Sequence, residues 1–207
     1  MSGDPPARLA TLPEIEAACW RELARATQDR HHEWRTPVLA TADGGVPDAR
    51  MVVLREVDAD ALQLVIFSDS RAAKRRQLQA QSQAMLVMWS KRLSWQLRLR
   101  VQVKVHTDGL AATSRWATLR ATPAARDYLA PLAPGALLPQ DPDPDPNPNP
   151  DPNTGVGDAS EGSPATERRE HFAVLIATVQ TIDWLELHRQ GHRRASFDKQ
   201  GRRWLVP

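Results

Sequence analysis

The chain has 207 residues, 41% of them hydrophobic and 25% charged, with a net charge of +2. This is enough for one domain with a real core, and too near neutrality for a strongly basic nucleic-acid binder. A single cysteine, Cys19, excludes an intrachain disulfide and a cysteine-built metal site and suits a reducing compartment. No apolar run approaches the ~20 residues of a membrane span. The start "MSGDPPARLA" lacks the apolar stretch of a signal peptide. The expectation is a cytoplasmic protein without membrane contact.

Residues 1–8 read as a loose tail. "PEIEAACWRELARA" predicts a helix: Pro13 suits the first turn, Glu14 and Glu16 suit its positive end, and Ile15, Ala18, Cys19 and Leu23 form an apolar stripe. "TPVLATADGGVPDARMVVLREV" predicts two strands around an Asp-Gly-Gly turn. A further strand is expected over about 61–67, a helix over about 72–81, and a short apolar strand at "AMLVMW". In "QLRLRVQVKVH", Leu97, Leu99, Val101, Val103 and Val105 alternate with Gln96, Arg98, Arg100, Gln102, Lys104 and His106, the pattern of a long strand with one buried face. "TSRWATLRATPAARDYL" reads as helix, a break at Pro123, and more helix. Residues 139–165 alternate proline with Asp or Asn and then turn to Gly and Ser, which predicts a disordered insert. Strand-forming sequence returns in "HFAVLIATVQTIDWLELH", read as a strand pair, followed by "RRASFD" and "RRWLVP". The expected domain is therefore 1–138 with 166–207, interrupted by the insert. Many antiparallel-looking strands with few helices favour a mainly β fold, a small barrel with flanking helices.

The stretch "FSDSRAAKRRQL" hands a strand over to a helix through hydroxyls, an aspartate and four basic residues. With Asp69 or Ser70 as cap, the helix start offers free N–H groups and a partial positive charge, which suits phosphate. Ser68 adds a hydroxyl and Lys74 a charge. Arg50, one strand earlier, is expected near Ser68 if 50–55 pairs with 62–67. The bland alternative is a solvated basic helix face.

"RMVVLR", "FSDSRAAK", "WQLRLR" and "DWLELHRQGHRRASF" occur in that order. Together they resemble the pyridoxamine 5′-phosphate oxidase family of FMN-binding split β-barrels. The resemblance implies that Arg50 and Lys74 hold the FMN phosphate, and that Met51, Val52, Val53 and Leu54 lie along the flavin. Phe67 and Ser68 match the family's Tyr-Thr pair; Gln96, Trp184 and Arg194 match residues that reach FMN. Arg55, Arg115 and His192 fall on the substrate side. The resemblance also implies a homodimer with FMN at its interface.

Departures from the family pattern erode the substrate set more than the cofactor set. Ala73 replaces the turn arginine, Arg55 a lysine, Gln190 and Arg193 the first Arg and the Asp of the C-terminal cluster, and Trp95 an arginine. The reading is an FMN-binding oxidoreductase of unknown substrate and unassigned catalytic residues, with no metal. Its alternatives are a genuine pyridoxamine 5′-phosphate oxidase, a split barrel holding deazaflavin or haem, and a nucleic-acid or protein interaction module built on "KRR", "RLRLR" and "GHRR". Near-neutral charge disfavours nucleic acid.

Overall fold

The computed structural model describes residues 8–137 and 171–207. Most of the tail and the whole insert expected at 139–165 lie outside the described residues. Arg8, assigned to the tail, is instead held in place by Glu186 and the carbonyl of Gly191.

Helix α1 (Leu12–Gln28) opens with a capping box: Thr11 accepts from the Glu14 N–H, and the Glu14 carboxylate accepts from the Thr11 N–H. Its stripe of Ile15, Cys19 and Leu23 is fully buried. A 3-10 helix, Glu33–Arg35, drives Trp34 into the core. Strands β1 (Val38–Asp43) and β2 (Val46–Met51) form the expected hairpin. Its two loop residues, Gly44 and Gly45, have φ of 57° and 90°, as a twisted two-residue hairpin loop requires.

The sequence predicted one strand from β2 onward, but the chain breaks at Val52–Val53 and resumes as β3 (Leu54–Asp58). The Val52 N–H bonds the Pro37 carbonyl, ending the ladder with β1. β3 then pairs β4 (Gln63–Asp69), so Arg50 stays on the β1 side of the break and never pairs with β4. This corrects the expected pairing of 50–55 with 62–67.

Helix α2 (Ala73–Ala80), β5 (Gln83–Ser90) and β6 (Trp95–His106) follow, then α3 (Gly109–Leu119) and a 3-10 helix, Pro123–Tyr128. The expected strand pair after the insert is one 15-residue strand, β7 (Phe172–Glu186). No turn residue interrupts it. It bends at a bulge instead: Arg100 pairs Thr181 while Val101 pairs Val179, leaving Gln180 unpaired. The first half of β7 pairs β4, the second half pairs β8 (Arg193–Asp198), and β9 (Gly201–Leu205) closes that edge.

The result is a mainly antiparallel sheet in the order β2-β1-β5-β6-β7-β4-β3, with flanking helices, of the split-barrel type. The alternation in β6 is as the sequence predicts. Leu97, Leu99, Val101 and Val103 are buried, while Gln96, Arg98, Arg100, Gln102 and Lys104 face outward. They join Leu39, Leu86, Trp184 and Phe197 in the main core. A smaller core lies on the other face of β4, where Trp116, Tyr128 and Phe172 pack under α3.

Glu186 fastens the ends of the chain to this sheet. It accepts from Arg8 Nε (2.6 Å), Arg193 Nε (2.9 Å) and Trp95 Nε1 (3.3 Å). Burial opposes its ionisation, but the hydrogen bonds and charges of Arg193 and Arg8 outweigh it and hold the carboxyl below the usual range. A carboxyl so lowered contributes stability above its unfolded pKa of about 4.3 and loses that contribution as pH falls. Glu186→Gln should therefore cost about 2 kcal/mol at pH 7. It should also flatten the loss of stability below pH ~4.5. Urea unfolding at a series of pH values measures both, and a mutant with an unchanged acid limb would contradict the assignment.

Candidate functional site

The residues singled out from the sequence fall into three places. The first is the end of the barrel beneath α2. Arg50 donates to Thr41 Oγ1 (2.6 Å), Gln77 Oε1 (2.9 Å) and the Leu39 carbonyl (3.4 Å), and makes a very short contact to Asp48. Gln77 in turn donates to Asp48 (2.8 Å) and accepts from Thr41 (2.7 Å). Gln77 and Thr41 are buried, so this network ties α2 to the β1–β2 hairpin. Gln77, Thr41 and Asp48 are not among the residues singled out from the sequence. The available signal was spacing: Gln77 lies three residues beyond Lys74 and shares its helix face.

Lys74 lies beside this network and is half-buried, yet no hydrogen bond to its ammonium group exists among the described residues. Burial, and then the charge of Arg50, push its pKa down, while Asp69 opposes them weakly. Two cations thus share a partly dehydrated place. The expected helix cap is absent: the N-cap is Ala72, with no side-chain hydrogen bond. Asp69 instead accepts from the backbone N–H and guanidinium of Arg71. Among the described residues, no side chain therefore caps the first N–H groups of α2 next to Lys74. Uncapped amides and a repelled lysine are the arrangement that a phosphate would relieve, so this corner fits the phosphate of FMN. Ser68 is less accessible: it is buried, points with Leu64 and Ile66 toward the barrel interior, and donates to the Asp69 carbonyl (3.2 Å).

The second place is the outer face of the sheet. Trp89, Gln96, Leu185 and Arg194 form one cross-strand row over β5, β6, β7 and β8. Arg194 forks onto Asp183 at 3.0 and 2.7 Å. Trp184 belongs to the opposite face. It is fully buried, edge-on to Trp95, and covered by the Arg193 guanidinium 5.6 Å from its ring. Within one protomer it is core and has no surface for a ligand. His192, matched to the substrate side, is not on a strand with Arg194. It lies in the turn before β8, exposed, and its Nδ1 accepts from the His188 N–H.

The run 51–54 is also divided. Met51 is 60% exposed, Val53 is half-buried, and Val52 and Leu54 belong to the core. One protomer therefore does not gather the expected cofactor residues. Arg50 and Lys74 sit at the barrel end, Gln96 and Arg194 on the outer face.

The third place is a cleft of about 630 Å³ between β3, β4 and α3. It brings together Arg55, Phe67 and Arg115. Register explains this. Leu54 pairs Ile66 and Glu56 pairs Val65, so Arg55 is the extra residue of a β-bulge. A bulge re-aims side chains, and both Arg55 and Glu56 line the cleft. Phe67 lies on the face of β4 opposite to Ser68, stacks edge-on against Phe172 and carries the Arg55 guanidinium 5.5 Å over its ring. Tyr128 lies nearby. Burial raises its pKa, and Arg55 acts in the other direction.

The description "Pyridoxamine 5′-phosphate oxidase, FMN-binding domain" fits a family model that matches residues 17–107. The pyridoxine/pyridoxamine 5′-phosphate oxidase of Roseobacter denitrificans is 36% identical over 107 residues, 51% of this chain and 51% of that protein. The chain thus spans about half the length of the curated relatives it matches. Two solved structures share the fold. A pyridoxamine 5′-phosphate oxidase-related, FMN-binding protein of Nostoc punctiforme has a TM-score of 0.68 at 21% identity, covering 97% of this chain and 100% of that one. PhzG of Burkholderia lata, solved with tetrahydrophenazine-1-carboxylic acid, has a TM-score of 0.64 at 15% identity, covering 99% and 100%.

A lysine whose pKa is lowered by folding penalises the native state below that pKa, and the penalty lifts as pH rises toward the unfolded value near 10.4. Lys74→Met should raise the Tm of the ligand-free protein at pH 7 by about 2–4 °C, the shift made by ~1 kcal/mol in a chain of this size. The gain should shrink above pH ~10. A Tm lowered by the substitution would mean that Lys74 holds the fold together and does not wait for an anion.

Proposed function

Because residues 17–107 match the model of the pyridoxamine 5′-phosphate oxidase FMN-binding domain, we propose that this protein binds FMN between two copies of the chain and acts as an FMN-dependent oxidoreductase. The observation that carries the reading is Lys74, half-buried against Arg50 at the uncapped start of α2. Bound FMN would supply a two-electron carrier that exchanges a hydride with a substrate. The chain's own part is to bind and orient it. Lys74 and the first N–H groups of α2 would take the phosphate. Arg50 would add its charge more than its fork, because Thr41, Gln77 and Asp48 already use its donors.

The homodimer is supported by the outer sheet face. Met51, Val38 and Val87 form one cross-strand row, and Ala49, Ala40 and Met85 the next. With Trp89, 45% exposed, they make an apolar strip beside Arg98 and Arg100. A second copy on that strip would bring its Gln96 and Arg194 toward a cofactor held by the first, which a single protomer cannot do.

The test is to purify the chain, record its absorbance and measure FMN binding by equilibrium dialysis. A flavin spectrum, a dimer by light scattering and at least tenfold weaker FMN binding in Lys74→Met are expected. Affinity should also fall as pH rises through the lowered Lys74 pKa, since the neutral amine loses its attraction for phosphate. Lys74→Met is a cleaner probe than Arg50→Ala, because Arg50 also anchors α2. Protein that ignores added FMN would remove the proposal.

A further inference from the structure

The cleft between β3, β4 and α3 has an unusual charge count for a site expected to face a phosphorylated substrate. Arg55 and Arg115 line it, but so does Glu56, leaving a single net positive charge. Arg115 is not available as a fork. Its Nε donates to Glu56 Oε1 (2.8 Å), its Nη2 to Glu56 Oε2 (2.7 Å) and its Nη1 to the Ala111 carbonyl (3.1 Å). The edge of the guanidinium that would grip an anion bidentately is already gripping a carboxylate.

Arg55 differs. Its Nε is buried without a hydrogen-bond partner among the described residues, and its guanidinium lies over Phe67. An unpaired buried donor is costly, and the guanidinium that carries it lines the cleft with no carboxylate partner among the described residues. The remaining wall is apolar or neutral: Leu119 and Ala124, with the hydroxyls of Thr118 and Thr122.

We propose that this cleft binds a monocarboxylate with an apolar body through Arg55, and that Glu56 excludes phosphate esters by occupying the fork of Arg115. A phosphate monoester carries a charge of about −1.5 to −2 at neutral pH. It would meet one guanidinium, that of Arg55, which no carboxylate among the described residues neutralises, and one opposing carboxylate. A carboxylate carries one charge, which Arg55 matches. The bulge makes this possible, because it lets two consecutive residues, Arg55 and Glu56, face the same cleft. In an unbroken strand they would point to opposite sides.

This inference names the substrate class for the function proposed above, and its test separates the two. Benzoate and phenyl phosphate, which share a ring and differ in the anion, are titrated calorimetrically into the FMN-treated full chain at low ionic strength. Wild type should bind benzoate at least tenfold more tightly than phenyl phosphate. Arg55→Gln should lose benzoate binding by at least tenfold. Glu56→Gln should gain at least tenfold for phenyl phosphate and change benzoate less than threefold. Equal or reversed preference in the wild type, or no gain in Glu56→Gln, overturns the proposal, as does failure of the wild type to bind benzoate. If Glu56→Gln does not fold, the wild-type preference and Arg55→Gln decide. FMN retention is measured on the same samples and should be unchanged in both variants. Loss of FMN binding by the wild type defeats the cofactor reading, while the anion preference still judges the cleft.

Discussion

The ladder between β6 and β7 is the constraint on which the other parts depend. It runs from Trp95 opposite Glu186 to His106 opposite Val174. Every hydrogen bond in it joins segments that are far apart in sequence. The bulge at Gln180 bends β7 so that one half meets β4 and the other meets β8. That division makes the two surfaces on which function is proposed. The β4 half supports the cleft beneath α3, and the β8 half extends the outer face that carries Gln96 and Arg194. β4 takes residues 172–178 of that edge and β8 takes 181–186, on either side of the bulge.

Charge is handled locally across most of this molecule. Arg194 is held by Asp183, Arg193 by Glu186, Arg71 by Asp69 and Arg115 by Glu56. The more exposed of these, such as Arg115 with Glu56, contribute little stability, whereas the carboxylates of Glu186 and Asp69 are buried. The effect of these pairs here is to remove arginines from the pool that could hold a ligand. Some basic groups escape, Lys74 and Arg55 among them. Among the described residues, Lys74 is repelled by Arg50 and has no hydrogen bond to its ammonium, and Arg55, like Arg75, keeps a buried Nε unpaired. Lys74 and Arg55 lie at different places, the corner proposed for the cofactor and the cleft proposed for the substrate. The basic runs "KRR" and "GHRR" suggest a nucleic-acid surface in the sequence. In the fold, Arg76 pairs with Asp43, while Arg193 and Arg194 pair with Glu186 and Asp183.

What could be read in the sequence depended on periodicity and turn chemistry. The alternation of β6, the Asp-Gly-Gly hairpin and the amphipathic α1 are local signals, and each element appears close to its expected bounds. The break at Val52–Val53 was not legible, because two consecutive valines look like continuous strand. It arises from the Val52 bond to Pro37, fifteen positions earlier, and from the pull of β4 on Leu54. The single long β7 was misread for a related reason. Alternation drifts at Gln180, which resembles a turn when no partner strand is known.

The sequence by itself determined a mainly β fold with flanking helices, the faces of its long strands, and the residue types suited to an anion. These depend on side-chain spacing and backbone preference, which act over a few residues. Only the tertiary structure decided which of those residues are available. It buried Trp184 against Trp95, set Ser68 and Phe67 on opposite faces of β4, and left the amides of α2 without a cap. It also put Glu56 across Arg115, through a one-residue bulge and a helix that begins fifty-three positions later. Whether a charge is free or neutralised depends on partners brought together by folding, and spacing along a chain carries no record of them.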